Sequence, residues 1–564
     1  MKILLIQPPV RDFYDTDVRL QPIGLAFLKA VLAQHLPELT CKVMDFHHGC
    51  GRFTVPIPAE LAYLKEYYPH ADRSPFGLFH QYYHYGAPFE VIAEQVAAEQ
   101  PDLVGISSLF TPYYREVLAT AAAIKGRWDG PILVGGSHVS ADPESILQDP
   151  SVDFVICGEG EKSLVGFLRH WSKNGFNKNF DVIDWSGIPN LGFKNSEKII
   201  LNEMGDNFPL EEIPPPDLSD FSLKDYCFED QPLAFLVTSR SCPHRCTFCS
   251  VHSTFGTVFR RKTVDQVFAE ICLRYDQGYR VLDFEDDNLT FYQEEMKELC
   301  RRIIARFPRQ ELTLVAMNGI SYLSLDEGLL GLMKQAGFSR LNLSLVTSDT
   351  TVRESTKRPH TVEKFLTVVH SAHRLGMKIT SYQILGLPEE TLESMIQTMC
   401  FGARLPVLLG ASPFYLTPNS PIAKKMGIEI DATGLLRSRL SALANETPFI
   451  KREELYTLFL STRILNFLKS FPVKNKEEWD FAEVLSNGFP IAMDPRAQVG
   501  LKILRELFAT EKLHAWTPQG MRVLSKFQSK LFFRIWNELG WVTTQAGGGV
   551  RCAHQRSLDI IGIG

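Results

Sequence analysis

Hydrophobic positions in the first 170 residues of this 564-residue chain form short, uninterrupted runs separated by amphipathic stretches. The runs occupy residues 2–6, 40–45, 103–107, 132–135 and 154–157. Each run is rich in Val, Ile and Leu, as in strands with both faces buried. Helical spacing marks residues 23–32, 91–98, 114–124 and 163–171. This alternation predicts an α/β fold with an open, parallel, doubly wound sheet, in which ligands bind beyond the carboxyl ends of the strands.

Three of these predicted strands end in small or polar residues. The sequences are Ser107-Ser108-Leu109-Phe110-Thr111, Gly135-Gly136-Ser137-His138 and Gly158-Glu159-Gly160. Small residues let a flat or elongated ligand lie close to the backbone. Glycine pairs are also common at strand ends in this fold without any ligand, so both interpretations stay open. A dinucleotide is disfavoured, because no G-x-G-x-x-G follows the first strand.

A second alternating series begins at residue 233. Its predicted strands are 233–239, 280–285, 312–317, 341–346, 378–385 and 411–416, and its predicted helices are 263–275, 293–305, 326–336, 362–375 and 392–403. Six β/α units predict a partial (β/α)6 barrel, with its active site at the carboxyl ends of the strands. The segment before it contains three consecutive prolines, 214–216. Proline cannot continue a helix or a central strand, so this segment is predicted to be a linker with a small hairpin near 191–201.

Beyond residue 420 the strand pattern gives way to helical spacing at 435–444, 452–468, 476–485, 497–509 and 524–539. Phe and Leu at that spacing predict a helical core. The predicted domains are therefore 1–172, a linker at 173–228, 229–425 and a helical 426–564. The tail from Gly547 is predicted to be loosely attached. Residues 49–89 are longer than a usual connection, and either cover a ligand or form a solvent-facing excursion.

Composition and charge exclude several classes of function and indicate a location. A net charge of −6 gives no electrostatic case for a nucleic-acid partner. No apolar run is long enough for a transmembrane segment, and the N-terminus resembles a first strand more than a signal peptide. The 11 cysteines are odd in number and thinly spread, unlike a disulfide framework. A reducing cytoplasm is therefore the predicted location.

Three cysteines are clustered directly after the first predicted barrel strand. Cys242, Cys246 and Cys249 have the spacing C-x3-C-x2-C. Three thiolates in one loop can hold three irons of a [4Fe–4S] cube and leave the fourth without a protein ligand. A zinc knuckle or three unrelated thiols are the alternatives, although no second cysteine pair lies nearby for zinc.

The cysteine spacing followed by a barrel resembles the radical S-adenosylmethionine (SAM) superfamily. The resemblance implies that SAM chelates the open iron and that Phe248 lies against its adenine. Phe284-Glu285-Asp286-Asp287-Asn288-Leu289-Thr290 and Ile384-Leu385-Gly386-Leu387-Pro388 are similar to family phrases at the second and fifth strand ends. The implied SAM contacts are Phe248, Glu285, Asp286, Asp287, Ser344, Arg358 and Gly386, with Arg353 as the fallback for Arg358.

Two features limit this assignment of the SAM contacts. The carboxylates of Glu285, Asp286 and Asp287 either bind the SAM amino group or ribose or have structural roles. At the fourth strand end, Leu345-Val346-Thr347-Ser348 replaces the G-V-E-S of many relatives. Without that acidic residue, Ser344 or Thr347 can only hydrogen-bond there.

The first domain resembles the cobalamin-binding domain fused to radical SAM enzymes, through Ser-x-Leu, Gly-Gly and the phrases at 135–144 and 153–161. The implied cobalamin contacts are Ser107, Leu109, Thr111, Gly135, Gly136, His138, Gly158 and Glu159. One departure is that residues 8–22 contain no histidine, while His47 and His48 follow the second strand instead. We therefore expect cobalt to have no histidine ligand from this domain, with the loop at 10–21 covering its lower face.

The two resemblances together imply a cobalamin-dependent radical SAM enzyme of the class B methyltransferase type, covering residues 1 to about 425. Such enzymes reductively cleave SAM to a 5′-deoxyadenosyl radical and methylate an unactivated carbon. Their partners are a small-molecule substrate and an electron donor such as flavodoxin or ferredoxin. A cyclase, ring-contraction or rearrangement enzyme without methyl transfer is the alternative, and a cobalamin and Fe–S sensor is a third. No catalytic residue is assigned beyond the cluster ligands.

Overall fold

The computed structural model describes residues 1–14, 21–195, 198–471, 480–486 and 494–541. Its first sheet has seven strands, in the spatial order Lys198–Leu201, Leu191–Asn195, Phe154–Ile156, Ile132–Gly135, Leu103–Ser107, Lys2–Gln7 and Thr40–Asp45. The last five of these pair in parallel. The other two form an antiparallel hairpin that joins the edge strand Phe154–Ile156. The predicted doubly wound sheet is confirmed, and the hairpin expected within the linker extends it.

Helices cover both faces of this sheet. They are Ile23–His35, Phe89–Glu99, Tyr114–Lys125, Ser137–Ala141, Pro143–Leu147 and Gly160–Lys173. Alternate residues of the first strand enter two separate hydrophobic cores, with Ile3 and Leu5 in one and Leu4 and Ile6 in the other. Burial on both faces explains why the strand is a continuous apolar run in sequence.

The second domain is a partial barrel made of two parallel arcs. One arc contains Gln231–Leu236, Val281–Phe284 and Thr313–Val315, and the other contains Arg340–Val346, Lys378–Leu385 and Leu408–Pro413. Isolated bridges, including Ile320 to Leu343, join the arcs. The helices outside are Val264–Asp276, Gln293–Arg306, Glu327–Ala336, Val362–Arg374 and Leu392–Ala403, with the shorter Val251–Phe255 and Thr350–Ser355.

The first and sixth barrel strands differ most from the prediction, and the other strand bounds agree or differ by one or two residues. The first strand ends at Leu236, because Thr238 and Ser239 turn away to hydrogen-bond the side chain of Asp286. The sixth strand begins at Leu408, where its pairing with the fifth strand at Thr380 starts. Apolar residues continue past the observed ends of the first and sixth strands, so the sequence pattern alone placed both strand ends too far along the chain.

The C-terminal part is helical, as predicted. Its helices are Pro421–Met426, Ala432–Arg437, Arg452–Lys469, Ala482–Leu485, Pro495–Thr510 and Ser529–Leu539, and a hairpin of His514–Thr517 and Gly520–Val523 was not predicted. The predicted helix at 476–485 lies partly, and the tail from Gly547 wholly, outside the described residues. The domain boundaries stay predictions. Across the described part of the chain, no helix has the length and apolar character needed to cross a membrane.

The long segment at 49–89 packs against the C-terminal helices. It contributes Arg52–Thr54 and Tyr83–Tyr85 to a small sheet with Val10–Asp12. Tyr68 is buried, and its ring lies 6.4 Å from that of Tyr456. Tyr67, Tyr68, Phe76, Phe79 and Tyr82 of this segment form part of a large hydrophobic core, so its interpretation as a solvent-facing excursion is wrong for them. Phe53, by contrast, is exposed.

Candidate cofactor-binding site

The cysteine loop is closed at its base by a short antiparallel ladder. Ser239–Arg240 pairs with Arg260–Arg261, so both ends of the loop are held together. Ser241 has a φ of 72° and its hydroxyl donates to the carbonyl of Gly256 at 2.7 Å. A non-glycine residue in the left-handed region is uncommon, and here a side-chain hydrogen bond supports it. The loop therefore presents its cysteines from a constrained base.

The three thiols lie in polar but sheltered surroundings. The amide nitrogen of Asn288 is 3.6 Å from Sγ of Cys242, and a guanidinium nitrogen of Arg358 is 4.0 Å from Sγ of Cys246. Burial raises the pKa of Cys249 to about 11. Metal binding to such a thiol releases its proton, because the thiolate is the ligand.

Two buried polar atoms beside this loop lack partners among the described residues. They are Oδ1 of Asn288, an acceptor, and Nε of Arg358, a donor. Within the described ranges, no three His, Cys, Asp or Glu side chains converge as ligands of one metal ion. A [4Fe–4S] cube takes one thiolate per iron and so does not require such convergence. The loop and the two unpaired atoms thus fit a cluster and an amino-acid-like ligand carrying both a donor and an acceptor.

The three predicted carboxylates at the second strand end have different environments. Asp286 is buried and accepts hydrogen bonds from both hydroxyls of Thr238 and Ser239, at 2.7 and 2.5 Å. Glu285 is half-buried, and burial raises the pKa of the half-buried Asp287 to about 6. Asp286 therefore holds the entry to the cysteine loop, which is the structural alternative considered for it. SAM contacts by all three stay predictions.

Arg358 and Ser344 meet beside Cys246. A guanidinium nitrogen of Arg358 donates to the backbone carbonyl of Ser344. The fallback Arg353 instead donates to the carbonyl of His360 at 2.7 Å. Directly after Ser344, the strand register shifts at Val346, whose φ is 68°. This departure from regular pairing occurs where the sequence departs from the family pattern.

The remaining predicted SAM residues lie at the same end of the barrel. Phe248 packs against an apolar cluster that includes Val346 and Leu387. Gly386 has a φ of +83°, and a Cβ there would lie 3.1 Å from the side chain of Leu455. Glycine is the residue that adopts this φ without strain. The chain therefore turns directly after the fifth strand, beside the helix Arg452–Lys469.

A cavity of about 250 Å³ lies beyond the carboxyl ends of the first sheet. Six of the eight predicted cobalamin residues line it, namely Ser107, Leu109, Gly135, Gly136, Gly158 and Glu159. Thr254 and Phe255, from the short helix that follows Cys249, line it too. The cavity of the first domain and the cysteine loop of the barrel therefore share a wall.

Gly136 illustrates why this wall needs small residues. Its φ is +125°, and a Cβ would lie 2.5 Å from the carbonyl oxygen of Ser108 on the neighbouring strand end. Any side chain there would push two strand-end loops apart. The glycine pair thus keeps the two loops in contact at the edge of the cavity.

The other predicted cobalamin residues lie elsewhere. Thr111 is buried in a short helical turn, and His138 is fully buried beside Ser145 and Tyr114. Burial lowers the pKa of His138 to about 4. His47 lies 3.3 Å from the carbonyl of Tyr85 through its ring nitrogen. Contacts of Thr111 and His138 with cobalamin stay predictions, and neither residue lines the cavity. Residues 15–20 of the loop predicted to cover cobalt lie outside the described residues.

Sequence reasoning missed the charged residues that join the two halves of the site. Arg240 lines the cavity and forms ion pairs with Glu159 and Glu161, at 2.5 and 2.6 Å. The sequence pattern also assigns no role to Asn288, although its amide lies beside Cys242. The sequence signal that pointed to Arg240 was its position two residues before Cys242. Its partners are distant in sequence and could not be read from it.

Comparison with family models assigns both halves of this site. Residues 236–401 match the model of the Radical SAM superfamily, and residues 77–168 match the B12 binding domain. Together with the partial barrel, the cysteine loop and the doubly wound domain, these matches define a radical SAM enzyme with a B12-binding domain before its barrel. Its cofactors are a [4Fe–4S] cluster, SAM and cobalamin.

Curated relatives match much of the chain. Cytidylyl-2-hydroxyethylphosphonate methyltransferase of Streptomyces wedmorensis is 26% identical over 422 residues, covering 69% of this chain and 73% of the relative. The anaerobic magnesium-protoporphyrin IX monomethyl ester cyclase of Cereibacter sphaeroides is 22% identical, covering 55% of this chain and 50% of the relative.

Solved structures support the fold. The radical SAM methyltransferase TsrM from Kitasatospora setae, with tryptophan and a SAM analogue bound, gives a TM-score of 0.56 at 17% identity, with 75% of each chain covered. The cobalamin-dependent SAM radical enzyme OxsB, as the apo protein, gives 0.59 at 14% identity, covering 95% of this chain and 79% of that one. At these identities the likeness establishes the architecture alone.

Proposed function

We propose that this enzyme transfers a methyl group to an unactivated carbon of a small-molecule substrate. The observation that carries the proposal is the shared wall, because Thr254 and Phe255 connect the cysteine loop directly to the cavity of the B12-binding domain. When bound, the cluster supplies reductive cleavage of SAM and cobalamin supplies the methyl group. Two relatives with at least 26% identity are methyltransferases by name, which supports this choice of reaction.

The chain's own residues have distinct tasks in this proposal. Cys242, Cys246 and Cys249 hold the cluster, while Arg358 and Asn288 offer a donor and an acceptor to the amino-acid end of SAM. Apolar side chains that line the cavity, including Phe27 and Phe255, exclude water from the space between the cofactors. Exclusion of water protects reactive intermediates from side reactions.

An electron donor such as flavodoxin or ferredoxin and a reducing, cytoplasmic location belong to the same proposal. All ten cysteines in the described part of the chain are free thiols, which supports a reducing environment. The anaerobic cyclase relatives keep open a second reaction, ring formation without methyl transfer, but they cover only about half of the chain.

The test is anaerobic turnover of the reconstituted enzyme with methyl-labelled SAM. Label in the product supports methyl transfer, and an unlabelled cyclised or rearranged product refutes it. Alanine at Cys242, Cys246 or Cys249 should abolish 5′-deoxyadenosine formation and leave cobalamin bound. Cys227→Ala, at an exposed thiol on a hairpin, is the matched control. Cleavage of SAM by any of the three loop variants would contradict the assignment of the cluster.

A further inference from the structure

The loop Gly158–Glu161 and the residues just before the cysteine loop meet in a buried ionic cluster. Arg240 donates from one guanidinium nitrogen to Glu159 at 2.5 Å and from the other to Glu161 at 2.6 Å. Their side chains are 6%, 3% and 7% exposed, respectively. Arg260 pairs with the same Glu159 from the other end of the loop. Two positive and two negative charges are therefore balanced away from water.

The electrostatics of this cluster favour the paired state. Burial disfavours the charged form of Glu161, but the charge and hydrogen bond of Arg240 outweigh it and hold the pKa of Glu161 below its usual range. Glu159 precedes the helix Gly160–Lys173 and Glu161 lies in its first turn, where carboxylates are stabilised by the helix dipole. The carboxylates are thus fixed on a rigid helix of the first domain, and they set where Arg240 must lie.

Arg240 is also held by aromatic side chains that line the cavity. Its guanidinium lies 5.3 Å from the ring centre of Phe27, on the first domain, and 5.9 Å from that of Phe255, on the barrel. A planar guanidinium between two rings has little freedom to move. The residue two positions further on is Cys242. Movement of Arg240 would therefore move the first cluster ligand relative to the cavity.

We infer that Arg240 is a positioning residue that sets the distance between the cluster held by the cysteine loop and the cobalamin held in the cavity. Its forked guanidinium reaches two carboxylates of the first domain at once, and the backbone of its strand leads directly into Cys242. Lysine at this position keeps the charge but is a single point donor, which cannot reproduce the fork. Reaction between two bound groups is sensitive to shifts of about 1 Å, so this distance matters for the enzyme.

The inference rests on the proposed function only for the presence of both cofactors, and its test involves no turnover. The full chain is reconstituted with cluster and cobalamin and reduced, and pulsed electron paramagnetic resonance measures the distance distribution between the [4Fe–4S]⁺ and cob(II)alamin spins. The expected result for Arg240→Lys is a shifted or broadened distribution, with iron and cobalt contents as in the parent enzyme. An unchanged distribution overturns the inference. Failure of methyl transfer, by contrast, leaves this measurement untouched.

Arg261→Lys is the matched control. Its side chain pairs with Glu295 of the same barrel and, among the described residues, makes no ion pair with the first domain, so the distribution should not change. If Arg240→Lys loses either cofactor, the same distance measurement on Glu161→Gln tests the inference. Glu161→Gln keeps the shape of the side chain and leaves the pair between Arg240 and Glu159. The second guanidinium nitrogen of Arg240 then faces a neutral amide in place of a carboxylate. A broadened distribution supports the inference, and a parent-like one overturns it.

Discussion

Asp286→Asn separates a structural role from a SAM contact at the second strand end. The carboxylate accepts from the hydroxyls of Thr238 and Ser239 at 2.7 and 2.5 Å and from the backbone N–H of Thr238 at 3.3 Å. A hydrogen bond to a charged group contributes about 1.5–3 kcal/mol, but hydroxyls can rotate to serve a neutral amide. Burial raises the pKa of Asp286 despite these hydrogen bonds. Removal of its charge therefore costs less folding stability than the hydrogen bonds alone would suggest.

We therefore expect Asp286→Asn to destabilise the barrel by about 1–3 kcal/mol, which is less than the sum of the charged hydrogen bonds. The entry to the cysteine loop should loosen, so iron content should fall. SAM affinity should fall only in proportion to the cluster bound. Urea unfolding of the apo protein, iron analysis and SAM titration measure the three effects.

The neighbouring Asp287→Asn is the control for this experiment. Asp287 is half-buried and accepts a hydrogen bond from the backbone N–H of Ser241, which an amide oxygen can also accept, so iron content and stability should be nearly unchanged. The reasoning is refuted if Asp286→Asn keeps full iron content and stability but binds SAM at least tenfold more weakly. That outcome would assign the carboxylate to SAM.

Three further predictions concern other parts of the molecule. Gly136→Ala should weaken cobalamin binding about tenfold, because a side chain in this backbone conformation costs about 1–3 kcal/mol and its Cβ would push the loop at Ser108 away from the cavity edge; unchanged spectroscopic titrations would contradict this. Burial raises the pKa of Glu390 to about 8, so the folded state retains a proton that the unfolded chain releases. Stability should therefore fall by up to about 1.4 kcal/mol per unit between about pH 5 and 8. Glu390→Gln should remove that loss, and an unaltered pH profile of the unfolding midpoint would count against it. Arg439→Met should cost about 3–5 kcal/mol by leaving buried Asp12 unpaired, and adding Asp12→Asn should recover much of it; equal stability of single and double variants would disprove the pairing argument.

Both α/β series were predictable from sequence for a simple physical reason. Parallel strands buried on both faces must be continuous apolar runs, as Lys2–Gln7 is. Lys378–Leu385 shows the other signature of a strand, because its buried positions alternate with more exposed ones. Their ends were less certain where polar side chains redirect the backbone, as Asp286 does at Thr238. The hairpin His514–Thr517 with Gly520–Val523 was missed because helical spacing surrounds it.

Local spacing determined the chemistry of this protein. Cys242, Cys246 and Cys249 are close in sequence, so one loop suffices to bring their thiols together, and the small residues at 135–136 directly follow their strand. Tertiary structure alone decided which distant residues meet. Arg240 pairs with Glu159 and Glu161 across about 80 positions, as the separations of 81 and 79 residues show. Such a contact depends on how two separately folded sheets pack together, which no local pattern encodes.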